Sequence, residues 1–157
     1  QTLRVPMVKE NFESNVPGIF ISGELGGMGL IRNAIEQGRQ AMESIAARVA
    51  GKSGGNARDV VIVGAGPSGI AASLGAKERK LDFVTIEQDA LGGTVASFPR
   101  RKLVMTQPVT LPIVGKLTVT SYSKEDLIEL WSRVVREQAL GWFVGKPLGG
   151  IDDDSPA

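Results

Sequence analysis

Apolar residues along the chain fall into short runs separated by glycine-rich turns, and these runs predict strands that alternate with helices. The run Val60–Val63 predicts a buried strand, and the residues after it favour a helix to about Ala76. A second apolar run, Leu81–Glu87, predicts the next strand. Because a strand, a helix and a second strand follow one another in this order, the pattern predicts an α/β fold with a parallel sheet.

The first fifty residues contain a strand-loop-helix pattern of their own. Gly18–Gly23 predicts a short buried strand, which follows a turn at Asn15–Gly18. A glycine-rich loop then leads into a helix predicted from about Leu30 to Val49. One face of that helix is apolar or small, and it comprises Ile31, Ala34, Ile35, Gly38, Met42 and Ile45.

A third helix and a last strand are predicted towards the other end. Ser123 has the side chain of a helix cap and Asp126 stands at the reciprocal acid position, so a helix is expected from there to about Ala139. Trp142–Val144 predicts one short strand. The residues between the glycine-rich region and Ser123 contain three prolines and are expected to be irregular.

These elements divide the chain into four parts. Residues 1–50 form a strand-loop-helix segment, residues 51–58 a flexible glycine-rich linker, residues 59–140 the main segment and residues 141–157 a tail. The triple aspartate in that tail is interpreted as a solvated end and not as a metal site.

Composition limits the chemistry that the chain can perform. A net charge of +1 argues against a nucleic-acid partner, and neither a stretch of about 20 apolar residues nor a signal pattern is seen, so a cytoplasmic protein without a membrane span is expected. Cysteine and histidine are both absent, which excludes thiol and imidazole catalysis. We therefore predict no catalytic side chain, and the reaction must come from a bound cofactor or from another part of a larger protein.

The candidate binding motif is Gly-x-Gly-x-x-Gly, and it lies between the first predicted strand and its helix. Gly64 allows a sharp turn, Gly66 lets the backbone approach a ligand, and Gly69 lets the helix pack closely on the strand. The N–H groups at the start of the helix then face the anion. This context predicts a Rossmann-like sheet with a dinucleotide pyrophosphate on the loop formed by Gly64, Ala65, Gly66, Pro67, Ser68 and Gly69.

An acidic residue ends the second predicted strand at the spacing expected for a ribose contact. Glu87 lies 18 positions after Gly69, and about 20 is typical for the carboxylate that accepts hydrogen bonds from a ribose diol. The acid serves an NAD ribose as well as the ribose of FAD, and its charge disfavours a 2′-phosphate.

These residues resemble the FAD domain of thioredoxin-reductase-like pyridine-nucleotide disulfide oxidoreductases, and they are closest to bacillithiol-disulfide-reductase-like members. Val61–Ala72, Glu87 and Gly92–Thr94 resemble the family's pyrophosphate loop, ribose acid and Gly-Gly pair, and Phe98–Thr106 continues the match. The resemblance implies FAD as the cofactor. In this first motif it implies contacts from the six loop residues and from Glu87, Gln88, Gly92, Gly93, Thr94 and Thr106.

A second motif stands in front of the first. Asn15–Glu24 resembles the family's late motif, in which a strand ends in Gly-Asp and the acid holds a ribityl hydroxyl. Gly23 and Glu24 occupy those two positions, and Glu24 is one methylene longer than the family's aspartate. The resemblance also places Arg32, Asn33 and Ala34 where the family opens a helix towards the pyrimidine edge of the flavin.

The two motifs occur in the reverse of the family's order, which leaves two interpretations. Either the chain joins the end of one flavoprotein module to the start of the next, or it is a permutation that rebuilds one FAD domain. No second fingerprint and no redox cysteine pair are present, so an NAD(P)H domain and the electron acceptor would belong to other domains or subunits, in a homo-oligomer or a larger complex.

The resemblance implies the FAD-binding portion of an NAD(P)H-dependent oxidoreductase, which need not turn over by itself. One alternative is a fragment of an NAD-binding Rossmann dehydrogenase. Another is a non-catalytic nucleotide-binding or assembly module that uses the same glycine loop. The electron acceptor and the choice between NADH and NADPH do not follow from the sequence.

Overall fold

The structure is a computed structural model that describes residues 7–23, 31–52, 55–105, 107–119 and 121–144, with side chains as far as residue 141. The helices are α1 (Ile31–Val49), α2 (Pro67–Glu78) and α3 (Lys124–Glu137), and a 3-10 helix spans Gly93–Ser97. The strands are β1 (Val60–Val63), β2 (Phe83–Glu87), β3 (Leu103–Met105), β4 (Val109–Leu111), β5 (Gly115–Leu117), β6 (Tyr122–Ser123) and β7 (Trp142–Val144). The fold is therefore mixed α/β, as predicted at that level, and the Rossmann-like character of the sheet stays a prediction.

The main sheet is parallel and has the order β1-β2-β7 within the described part of the chain. Val60 is in register with Phe83, and Thr85 is in register with Trp142. The strands β1 and β2 are joined through α2, which is the strand-helix-strand order that the apolar runs predict. The short strand at Trp142–Val144 is also confirmed.

Two small antiparallel pairs lie outside this sheet. The strands β4 and β5 form a hairpin, and β3 pairs with β6 through an irregular register. The prediction of an irregular stretch before Ser123 is therefore wrong in part, because these strands of two or three residues are too short to show a periodic pattern in the sequence.

The start of α3 matches its prediction. The Ser123 hydroxyl accepts a hydrogen bond from the Asp126 N–H at 3.2 Å, and the Asp126 carboxylate accepts one from the Ser123 N–H at 3.0 Å. This reciprocal pair satisfies backbone donors at the helix start, and the helix is Lys124–Glu137.

Helices cover one face of β1. Val60 and Ile62 are buried in a cluster with Met42 of α1 and with Ala72 and Ala76 of α2. The intervening residues Val61 and Val63 lie on the opposite face, with 55% and 65% of their surfaces exposed. A larger cluster joins α2, α3 and the small strands around the fully buried side chains of Leu74, Leu127 and Trp131.

The helices α1 and α2 cross at a glycine. A Cβ added at Gly38 would lie 2.9 Å from the carbonyl carbon of Ser68 and closer still to its oxygen. Because both groups are backbone, only glycine permits this approach. Gly38 was predicted on the buried face of α1, and its contact shows that this face packs on the first turn of α2.

The segment Gly18–Gly23 differs from its prediction. It is extended, but its pairing is limited to an isolated antiparallel bridge between Phe20 and Glu13, and Ile19 is 52% exposed. Within the described residues this segment pairs on one edge only, and residues 18–23 are exposed or half-buried, so the predicted buried strand is not formed.

None of the helices in the described ranges is long and apolar enough to cross a membrane.

Candidate functional site

The predicted glycine loop connects β1 to α2, and two of its glycines are required by the fold itself. Gly64 has φ +106°, a conformation that favours glycine, and its N–H donates to the Ile86 carbonyl at 2.7 Å. A Cβ added at Gly69 would lie 2.8 Å from the Gly64 carbonyl carbon and nearer still to its oxygen. The sharp turn and the close helix packing predicted for these positions are confirmed.

Gly66 is different, because the protein does not need it to be glycine. Its backbone is extended (φ −78°, ψ −176°), and the atom nearest to an added Cβ is the Gly92 carbonyl oxygen at 3.8 Å. The backbone conformation is open to any residue, and an added Cβ would meet no atom closer than this oxygen. A glycine here keeps open the space in front of the loop, as a site for close approach of a ligand requires.

The N-terminus of α2 carries no side-chain cap. Gly66 is the N-cap residue, Pro67 is at the start of the helix, and the first turn contains no acidic residue. The N–H groups of Ser68 and Gly69 belong to the set that cannot bond within a helix. This end of α2 therefore combines donors that have no partner within the helix with the positive end of the helix dipole.

Glu87 ends β2 beside the loop and is 94% buried, since its relative exposure is 6%. One carboxylate oxygen accepts the Ala65 N–H at 2.6 Å. The other accepts the N–H groups of Gln88 and Asp89 at 2.8 and 3.0 Å. A carboxylate offers about four acceptor positions, so about one remains for a further hydroxyl. Glu87 thus fixes the loop, a role that the sequence did not predict.

The Gly92–Gly93 pair lies directly over the glycine loop. Both residues have positive φ, at +98° and +54°. The Gly92 N–H donates to the Ala65 carbonyl at 2.9 Å, and a Cβ added at Gly93 would lie 3.2 Å from the Gly66 Cα. Thr94 is exposed and lines a cavity in front of the glycine loop. Three predicted site residues after β2 are therefore brought to the loop.

The end of the late motif also reaches the glycine loop, through Ser68. The hydroxyls of Ser22 and Ser68 are 2.7 Å apart. Gly23 has φ +93°, its N–H donates to the Gln37 side-chain oxygen at 2.9 Å, and a Cβ added to it would lie 3.1 Å from the Ser68 Cβ. Ser22 and Ser68 are 46 positions apart in the sequence, so two distant motifs meet in one place.

The remaining predicted residues divide into three groups. Ala34 is buried and lines the cavity beside the loop. Arg32 and Asn33 are exposed, and the Arg32 guanidinium donates to the side chain of Gln107. Glu24 and Thr106 lie outside the described residues, so their predicted flavin contacts stay predictions.

A cavity of about 860 Å³ joins these parts. Its lining includes Gly66, Ser68 and Glu87 from the fingerprint side and Ser22 and Gly23 from the late motif. Most small-molecule sites have volumes of about 300 to 1,000 Å³, so the cavity has the size of a ligand site. No group of three or more potential metal-ligating side chains occurs in the described ranges.

Sequence reasoning did not include Ser22, Gln37 or Gly38 among the site residues. Ser22 and Gln37 join the two motifs by hydrogen bonds, and Gly38 allows the helix contact that brings them together. The signal that could have found Gly38 is a glycine on the apolar face of a predicted helix, where it weakens the helix unless close packing requires it.

Comparison with known proteins gave no match. The comparison covered protein-family models, curated proteins and solved structures.

Proposed function

We propose that this chain is the FAD-binding portion of an NAD(P)H-dependent flavoprotein oxidoreductase, with a permuted Rossmann-like FAD domain. The observation that supports this most is the meeting of the two motifs at Ser68, where Ser22 contacts the first turn of α2. A junction between two unrelated modules would give no reason for this contact. A permuted domain accounts for it, because both motifs then face one cofactor.

The residues present fit an adenine dinucleotide. The uncapped start of α2 and the open space at Gly66 suit a pyrophosphate. The remaining acceptor position of Glu87 suits one ribose hydroxyl, and Gly92–Thr94 would run beside the rest of the cofactor. When bound, the flavin supplies redox chemistry between a nicotinamide and an acceptor, while the protein holds and orients it.

The donor and the acceptor would be bound elsewhere. The chain lacks cysteine and histidine, so a disulfide or imidazole partner must come from other domains or subunits. We place the complete system in the cytoplasm, in a homo-oligomer or a larger complex that supplies the NAD(P)H site.

Titration with FAD tests the proposal. We expect uptake of FAD, seen as flavin absorption near about 450 nm that stays with the protein on gel filtration. Gly66→Val should weaken FAD binding roughly 100-fold, because the side chain would occupy the space of the pyrophosphate. Gly141→Val is the matched control, since Gly141 is exposed and no atom lies within 4 Å of its added Cβ.

Four results would contradict the proposal. A protein that takes up no FAD, or a Gly66→Val variant that binds it as tightly as the parent, would show that the loop is only a turn. Binding of NADH in the absence of FAD binding would favour the dehydrogenase fragment. Binding of adenine nucleotides without any redox activity of the bound cofactor would favour the non-catalytic module.

A further inference from the structure

The outer edge of β1 has backbone groups without a strand partner in the described part of the chain. In the pairing with β2, the Val60 N–H donates to the Asp82 carbonyl and the Gly64 N–H donates to the Ile86 carbonyl. Backbone direction alternates along a strand, so the N–H and C=O groups of Val61 and Val63 point away from β2. Within the described residues β1 pairs with β2 alone, so its other edge has no strand partner.

A second open edge faces the same cavity. The Ser14 N–H donates to the Ile19 carbonyl, and the Ile21 N–H donates to the Phe12 carbonyl, both within 2.9 Å. Phe20, between them, forms the non-hydrogen-bonded pair of this antiparallel bridge with Glu13. Its N–H and C=O therefore point away from Phe12–Ser14, and Phe20 lines the cavity.

The cavity lies between these two edges. Its walls include residues 18–23 on one side and all four residues of β1 on the other. Apolar side chains of α1 close it on the helical face, and these are Ile31, Ala34, Ala41, Met42, Ile45 and Val49. The cofactor is proposed to bind at the end of the cavity lined by Gly66, Ser68 and Glu87. An occupant of the remaining part, between β1 and residues 18–23, must present hydrogen-bonding groups on two sides and apolar surface towards α1.

We propose that an extended apolar segment of another polypeptide inserts between β1 and residues 19–21 as an additional β-strand. A strand carries N–H and C=O groups along both edges, so it can pair with Val61 and Val63 on one side and with Phe20 on the other. Neither a helix nor an apolar small molecule offers backbone groups in this arrangement. The segment has uncharged, preferably β-branched residues at its centre and no proline at the pairing positions.

Two other occupants fit the structure less well. A second copy of the chain would bring its own β1 edge, which is bordered by its own residues 18–23, so two such edges would obstruct each other. Residues 145–157 contain four glycines or prolines before a triple aspartate, a composition that disfavours a strand.

Peptide binding to the full chain tests the proposal. The probe is the capped heptapeptide Lys-Thr-Val-Ile-Val-Thr-Lys, and its matched control is the same peptide N-methylated at alternate residues, which keeps the side chains but removes one edge of donors. We expect binding of the probe at submillimolar concentration and at least about tenfold weaker binding of the control. Amide hydrogen exchange at Phe20, Val61 and Val63 should slow on binding by about tenfold or more.

Val61→Pro is the corresponding change in the protein. Proline removes the N–H that faces the cavity and leaves the bonds of Val60, Ile62 and Gly64 to β2, and it is tolerated at strand edges. Val61→Thr is the control, because it keeps both the N–H and the shape of the side chain. We expect Val61→Pro to lose probe binding and Val61→Thr to retain it, with both variants folded by circular dichroism.

Several outcomes would contradict the proposal that a strand inserts at this edge. Equal binding of the two peptides would indicate an apolar pocket, and absence of binding to either would indicate a closed one. Binding of the probe to a Leu3→Asp, Val5→Asp double variant but not to the parent would show that the chain's own first residues fill the cavity. Dimerisation that Val61→Pro abolishes would identify a second copy. Because no arm uses flavin, failure here leaves the FAD proposal standing, and failure of FAD uptake leaves this one standing.

Discussion

The glycine loop Gly64–Gly69 and the segment Ile19–Gly23 meet at Ser68, but they are held in very different ways. The loop is fixed by its own backbone, through the Gly64 turn and the close contact of Gly69 with Gly64. The segment is held on one edge by Phe12–Ser14 and depends on α1 for its position. The conformation of the loop is therefore determined by its local sequence, and the position of the segment depends on tertiary packing.

This difference has a consequence for ligand binding. The geometry of the loop is fixed by the fold itself, so we expect little ordering cost there when the proposed cofactor binds. Residues 22 and 23 are positioned by the contact of Ser22 with Ser68 and by the hydrogen bond from Gly23 to Gln37. Changes that disturb the loop should therefore affect the whole fold, and changes at the α1 contact should separate the loop from the segment.

The largest effect is expected from Gly69→Ala. The added Cβ would overlap the Gly64 carbonyl, and neither backbone group can move without breaking the turn between β1 and α2. We expect a loss of about 3 kcal/mol or more in the free energy of unfolding, measured by urea denaturation. Gly66→Ala is the control and should change stability by less than about 0.5 kcal/mol, because its added Cβ meets no atom within 3.7 Å. Equal losses in the two variants would contradict a loop fixed by Gly69.

Gly38→Ala should have the next largest effect. The methyl group would overlap the Ser68 carbonyl, so α1 must move away from α2. We expect a loss of about 2 to 3 kcal/mol, partly offset by the better helix propensity of alanine. Gly141→Ala, at an exposed position with no atom within 4 Å, is the matched control.

Gly38→Ala also tests whether the glycine loop and the segment Ile19–Gly23 are held separately. If they are, the variant should speed hydrogen exchange at Gly23 more than at Gly64, because only Gly23 depends on the position of α1. Equal acceleration at both amides would show that the two regions open as one unit.

The elements that the sequence predicted best are those whose cause is local. The strand-loop-helix around Gly64–Gly69 follows from apolar runs and from the steric needs of glycine, and the start of α3 follows from Ser123 and Asp126. Both patterns occupy a few neighbouring residues. Neither needs information about the rest of the chain.

The parts that sequence missed depend on what lies beside them. Ile19–Ile21 has the composition of a buried strand, but its neighbours in the described structure leave one edge unpaired. Glu87 was expected to face a ribose, yet its carboxylate is mainly occupied by three backbone N–H groups. Neither the missing neighbour of a strand nor the internal partners of an acid can be deduced from spacing alone.

Glu87→Gln should have a moderate effect. The amide keeps one acceptor oxygen but loses the charge and the second oxygen, so it cannot accept all three N–H groups that now bond to Glu87. We expect a loss of about 2 kcal/mol in the free energy of unfolding. Glu129→Gln, on the exposed surface of α3, is the control. A stability equal to the parent would mean that the loop does not depend on the carboxylate.

The smallest expected effect is a pH dependence of the free energy of unfolding. It comes from Glu13, which pairs with Phe20 in the segment Ile19–Gly23. The Gly18 N–H donates to its carboxylate at 2.9 Å, and this hydrogen bond, followed by the Arg48 guanidinium at 2.6 Å, holds the pKa of Glu13 below its ordinary value of 4.5, against burial, which raises it. Because the pKa is lower in the folded protein, the contribution of Glu13 is present above pH 4.5 and is lost as the pH falls through the folded pKa.

The comparison of the parent with Glu13→Gln isolates this contribution. Glu36 and Asp126 also have lowered pKa values, but both variants contain them, so their effects cancel in the difference. The parent should be more stable than Glu13→Gln at neutral pH, and the difference in urea midpoint should shrink as the pH is lowered below 4.5. A difference that does not change with pH would mean that residues 13–23 are held by packing and hydrogen bonds that do not require the Glu13 charge.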